Sequence, residues 1–158
     1  MTGRSLLTLS LAVYASISVA FCQEPSTPAK PLRERLLERA LKGDAEAQFE
    51  LAKHYEAGRI GLPQDLLQAA HWYREAANQG DAFAEASLGI FYNFGKGVPR
   101  DYVLAYMWFE RSVSHLTGGD RESVVEMQDN VARKLNPSQL ARARRLAKEP
   151  VSALRPLP

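Results

Sequence analysis

The chain has 158 residues, 46% hydrophobic and 24% charged, with a formal net charge of +2. That is enough for one modest globular domain, and it excludes disordered and collagen-like classes. A balance so close to neutral excludes binding through a uniformly basic surface, and a single cysteine excludes an intrachain disulfide, so packing must hold the domain together.

In chain order, MTGRSLLTLSLAVYASISVA carries one early Arg4, no acid and an apolar run from Leu6 to Ala20 that is too short to span a bilayer comfortably. A basic start, an apolar run and small residues at Ser18 and Ala20 predict a signal peptide over residues 1–22, cleaved near 20–22, and hence an exported protein, periplasmic or secreted. Cys22 stands where a lipoprotein cysteine would, but Phe21 before it is too large for that motif, so membrane attachment requires a lipidated Cys22 or an uncleaved signal. Residues 23–30, with Pro25 and Pro28, read as a linker, and 31–149 as the folded domain.

PLRERLLERALKG, from Pro31, has the spacing of a helix ending at Gly43. From there the sequence repeats itself. Gly43-Asp44, Ala47, Leu51, Tyr55 and Gly58 recur 37 residues later as Gly80-Asp81, Ala84, Leu88, Tyr92 and Gly95. Gly61, Pro63, Asp65, Ala69 and Trp72 recur 36 residues later as Gly97, Pro99, Asp101, Ala105 and Trp108. The offset changes by one inside GRIGLPQD against GKGVPRD, which places a turn there, because turns tolerate insertions and packed helices do not. A period of this length marks stacked repeats. Each unit reads as two helices, with Asp44, Asp65, Asp81 and Asp101 as N-caps and Gly43, Gly58, Gly80 and Gly95 at helix ends. Alanines facing Trp and Tyr supply the holes and the knobs of close helix packing. Repeat 1 covers about 40–76 and repeat 2 about 77–113.

This pattern resembles the Sel1-like repeat family, relatives of tetratricopeptide repeats. The resemblance rests on A-x-x-G-D-x-x-A-x-x-x-L-x-x-x-Y-x-x-G followed by D-x-x-x-A-x-x-W-[YF]. Its residues are Gly43, Leu51, Tyr55, Gly58 and Trp72 with Tyr73 in the first copy, and Gly80, Leu88, Tyr92, Gly95 and Trp108 with Phe109 in the second. Ala52 departs from it where the second copy has Gly89, and Ser112-Val113 stand in place of Ala76-Ala77. The resemblance implies an all-α, right-handed α-α superhelix of two full repeats with capping helices at both ends. It also implies an adaptor that holds another protein or peptide in a bacterial envelope, the competing readings being a secreted cell-wall hydrolase and a secreted effector that binds host proteins.

Beyond the second repeat, Gly119-Asp120 is expected to open a decayed third unit carried by Val124, Met127, Val131 and Leu135. NPSQLARARRLAKE then opens with Asn136 as cap, Pro137 and Gln139, close to a capping box, so 118–149 reads as degenerate unit plus closing helix. Residues 150–158 read as a flexible tail. From Arg133 to Arg155 there are seven basic residues against Glu149 alone, so the remainder is net acidic.

No chemistry-bearing constellation emerges. His54, His71 and His115 form no metal-ligand spacing, Cys22 lies in the processing region, and GKGVPRD is a repeat turn rather than a phosphate loop. No catalytic residue, metal or cofactor is expected, and no nucleic acid. His54 and His71 fall in register with Phe91 and Met107, which marks them as packing positions. One contrast between the copies points to binding. Glu46, Lys53, His54 and Ala57 of the first copy become Phe83, Ile90, Phe91 and Phe94 in the second. Large apolar side chains in place of polar or small ones imply burial against the third unit, against the linker, or against a partner. Phe83, Ile90, Phe91 and Phe94, with Lys53 and His54 beside them, are therefore the candidate partner-binding residues.

Overall fold

The computed structural model describes residues 30–150. The expected signal peptide, Cys22, nearly all of the linker and residues 151–158 of the tail lie outside the described residues. Among the described residues every regular element is helical: α1 (Leu32–Leu41), α2 (Ala45–Ala57), α3 (Leu66–Asn78), α4 (Ala82–Phe94), α5 (Tyr102–His115), α6 (Gly118–Ala132) and α7 (Pro137–Ala147).

The four aspartates start their helices in the same way in both units. Asp44 and Asp81 each accept from the N–H three residues on, with φ/ψ of −71°/110° and −66°/110°. Asp65 and Asp101 each accept from two N–H groups, with φ/ψ of −145°/100° and −145°/109°. Gly58 and Gly95 close α2 and α4 in the left-handed conformation that glycine adopts at little cost. The chain then returns to the same place, because Asp65 N–H donates to Tyr55 O at 2.9 Å and Asp101 N–H to Tyr92 O at 3.0 Å. Two segments of different length thus end in one geometry, and the extra residue is absorbed in the turn, where Ile60 takes a φ of 53°.

Packing is tightest inside each hairpin, α2 on α3 and α4 on α5, and α3 against α4 joins the units. Ala47, Leu51, Ala69 and Ala76 are sealed from solvent together with their counterparts Ala84, Leu88, Ala105 and Ser112. The serine in an alanine's place keeps its hydroxyl satisfied, Ser112 Oγ donating to Ala82 O at 2.7 Å. Gly89 has a steric reason as well: a Cβ there would lie 2.5 Å from the ring of Phe109. In the first unit Ala52 stands at that register and Tyr73 at the register of Phe109. Trp72 and Trp108 are both buried on the second helix of their hairpins, so the spacing of the tryptophans is the spacing of the units.

The C-terminal part departs from the repeat. α6 is capped at Thr117, not at Asp120, which lies in its first turn. Thr117 stands 36 residues after Asp81, so the register persists where the Gly-Asp pair has shifted. α7 opens with the expected capping box, Asn136 and Gln139 each accepting the other's backbone N–H at 2.9 Å. It does not pair with α6 as a third hairpin; it packs on α5. That explains a second difference. Leu67 and His71 on α3 are exposed, whereas their counterparts Val103 and Met107 on α5 are buried. His71 is thus not the packing residue its register with Met107 suggested; its ring leans edge-on against Trp72, 5.1 Å between centroids.

Candidate functional site

The first helices of the two units, α2 and α4, carry the residues that the copy-to-copy contrast singles out. On α4, Phe83, Ser87, Ile90 and Phe94 follow at intervals of four, three and four, which is one face of a helix. Phe83 is 48% exposed and Phe94 66%, while Ile90 is half-buried against the core. Neither α6 nor any other described element covers the two phenyl rings, which disposes of the third unit as their cover.

Phe91 is a correction. It is 1% exposed, because position 91 turns toward α3, and its ring meets Tyr73 edge to face at 5.4 Å. It belongs to the joint between the units and is not available to a partner. Tyr73 in turn donates its hydroxyl proton to Glu56 Oε2 at 2.8 Å, and Lys96 Nζ reaches Glu56 Oε1 at 3.3 Å. Burial, reinforced by that carboxylate, pushes the Tyr73 phenol well above its usual range. This polar cluster fastens α2, α3 and the turn after α4 together.

Lys53 lies on the exposed side as expected, tied to Glu50 at 2.8 Å and poised 5.3 Å over the ring of Phe49. Phe49 is the member that sequence reasoning missed. Its counterpart in the second unit is Ala86, so a comparison made from the second copy's apolar excess passes over it. The ring of Phe49 lies 6.3 Å from that of Phe83 and 5.7 Å from that of Tyr73, and it bridges the two first helices. The surface is therefore Lys53 and Phe49 on α2, then Phe83, Ile90 and Phe94 on α4.

His54 is half-buried, and its Nδ1 is sealed from solvent with no hydrogen-bond partner among the described residues. That fits packing and not binding. An unpartnered buried nitrogen costs about 1–3 kcal/mol, and the second unit places Phe91 at this register. His54→Phe is expected to raise the free energy of unfolding by about 1 kcal/mol. Urea titration of both proteins checks it; a lower midpoint in the variant refutes it.

A second polar cluster has no counterpart in the sequence reading. In the first unit Gln48 Nε2 donates to Ala40 O at 3.1 Å and Gln79 Nε2 donates to Gln48 Oε1 at 2.7 Å. The same registers hold Glu85 and His115 in the second, and Glu75 becomes Arg111. Glu85 is 0% exposed; Arg111 Nε donates to it at 3.0 Å and His115 Nδ1 faces it at 3.1 Å. Arg111 Nη1 also donates to Ala147 O and Glu149 O, the carbonyls that end α7. Reading Glu85 and His115 against the two glutamines they replace would have exposed this cluster. Among the described residues no group of three or more His, Cys, Asp and Glu side chains forms a potential metal site, and no helix is long and apolar enough to cross a membrane.

Residues 45–81 and 82–115 each match the Sel1 repeat, the same period cut five residues later than the sequence reading cut it. The chitin synthase regulator SKT5 of Malassezia restricta is 41% identical over 85 residues, 53% of this chain and 6% of that protein. The ERAD-associated E3 ubiquitin-protein ligase component HRD3A of Arabidopsis thaliana is 36% identical over 58 residues, 37% of this chain and 9% of that protein. The chain thus spans less than a tenth of the length of either relative. A crystal structure of a protective antigen of uropathogenic Escherichia coli, which displays an SLR fold, superposes with a TM-score of 0.66 at 35% identity, covering 76% of this chain and 25% of that one. With two tandem repeat matches by sequence, two equivalent helical hairpins by geometry and SLR-fold proteins as structural neighbours, residues 45–115 of the chain are a pair of Sel1 repeats.

Proposed function

We propose that this protein is a non-catalytic adaptor that holds a protein or peptide partner against the face formed by α2 and α4. The observation that carries the reading is the pair of open phenyl rings, Phe83 and Phe94, set in one row on α4 and continued onto α2 by Phe49. Exposed rings clustered this way are uncommon on a surface that meets only water, and they are enriched at the centres of protein interfaces. Support comes from the matched relatives, whose names make them a regulator of an enzyme and a component of a ligase complex. Their repeats resemble these, and neither name describes an enzyme acting alone. The basic-start, apolar-run leader over 1–22 supports export, periplasmic or secreted, in a bacterial envelope.

Phe83→Glu/Phe94→Glu is the decisive variant. Crosslinking in envelope extract with the wild-type chain is expected to recover a stoichiometric partner, and that partner, purified, is expected to bind the wild type and lose at least about tenfold in affinity for the variant. Because both rings already face solvent, the melting temperature should barely move. Equal affinity of the two proteins for the purified partner would overturn the reading, and so would a large loss of stability.

A further inference from the structure

Away from the α2–α4 face, a cleft of about 290 Å3 opens between α5 and the end of α7, lined chiefly by Glu110, Arg111, Ser114, His115, Arg144 and Lys148. Among the described residues no helix packs on α3 as α7 packs on α5. The cleft lies beside the second unit's buried cluster, and Arg111 and His115, which line it, are the partners of Glu85.

The acids nearby are already engaged. Glu85 is held by Arg111 and His115, and Glu110, on the rim, accepts a hydrogen bond from the side chain of Gln128. The Arg111 guanidinium also holds the carbonyls of Ala147 and Glu149, which neutralises the negative end of α7 just where a second negative charge would approach. The cations at the mouth are not engaged in that way. Among the described residues neither Arg144 nor Lys148 lies within ion-pair distance of a carboxylate; Arg144 Nε donates to the Tyr106 hydroxyl at 3.4 Å and feels the Glu110 carboxylate only through space. A guanidinium and an ammonium one helical turn apart suit an oxyanion, which the guanidinium takes through two N–H groups and the ammonium as a point charge. The volume lies at the lower end of the range for small-molecule sites. It admits one phosphate or one carboxylate-bearing residue, not an extended ligand.

We infer that the α5–α7 cleft binds a compact oxyanion, a carboxylate or phosphate group, gripped by Arg144 and Lys148 beside Arg111 and His115. Titration of the full chain, at fixed ionic strength, with inorganic phosphate, with an acetylated dipeptide bearing a free C-terminal carboxylate, and with its amide tests this by calorimetry and by shifts of the α5 and α7 amide resonances. Saturable binding of phosphate or of the free carboxylate is expected, with no binding of the amide. The stronger of the two binders identifies the source of the oxyanion. Arg144→Gln/Lys148→Gln should weaken binding roughly tenfold or more. Arg142→Gln/Arg145→Gln removes the same charge from the same helix outside the cleft and should leave affinity unchanged. All four positions are exposed apart from the cleft, so both variants should melt with the wild type. Equal losses in the two double variants, or no saturable binding of either anion, overturns the inference.

Discussion

Replacing Arg111 with methionine is expected to cost about 3–5 kcal/mol of folding stability, the usual range when one partner of a buried ion pair is removed. Methionine keeps much of the side-chain length and loses the charge. Glu85 would then be a sealed carboxylate with only the half-exposed His115 beside it, and the carbonyls of Ala147 and Glu149 would lose their donor. Two faults arise from one change: a charge left without compensation and a helix end left without its cap. Glu85→Gln in the same background should restore much of the loss, since the first unit carries Gln48 at this register without any cation. Urea denaturation of the single and double variants at neutral pH measures both. If Arg111→Met unfolds within about 1 kcal/mol of the wild type, Glu85 does not depend on that guanidinium.

Gly97→Ala should be the next most damaging change, and Gly61→Ala is its internal control. Both glycines have positive φ, 64° and 75°, so an alanine at either site costs about 1–2 kcal/mol of backbone strain. Only Gly97 is also crowded. A Cβ there would lie 2.3 Å from Leu66 O and 2.4 Å from Leu66 C, whereas at Gly61 nothing lies within 4 Å. Leu66 opens α3, and backbone at a packed helix start cannot rotate aside as a side chain can. Overlap of this kind adds about 1–3 kcal/mol, which brings Gly97→Ala to roughly 2–5 kcal/mol. Thermal and chemical unfolding of the two variants side by side decides the matter. Equal losses would mean that the second unit's turn does not press on the first unit as described.

The fold was legible because its rules act locally. Aspartate caps, glycine terminators and the four-residue apolar stripe each depend on a few neighbours, and the backbone angles of Asp44 and Gly58 recur at Asp81 and Gly95 to within 11°. The third unit was harder. Gly119-Asp120 has the composition of a helix start, but the cap falls at Thr117, whose side chain makes no capping bond, so composition misled where register held. The binding face was read only in part. Phe83 and Phe94 are open, a point the sequence left undecided, and separating them from Phe91 requires knowing that α3 lies on the side toward which position 91 turns. Phe49 escaped for a related reason, since it matters through its contact with a helix 34 residues further along the chain. The Glu85 cluster involves three elements, and no local pattern signals a three-body contact.

The linked amides of the first unit and the buried ion pair of the second mean that the two hairpins are not interchangeable bricks. A tandem duplication of the second hairpin would carry Glu85 together with its two side-chain partners, because Arg111 and His115 lie on the second helix of the same hairpin. Growth of such an array by copying its last module would instead demand new acceptors for Arg111 of the inner copy, because the carbonyls of Ala147 and Glu149 belong to the closing helix and its end. Copying the first module carries no such requirement, and that asymmetry gives the lineage a preferred direction in which to lengthen.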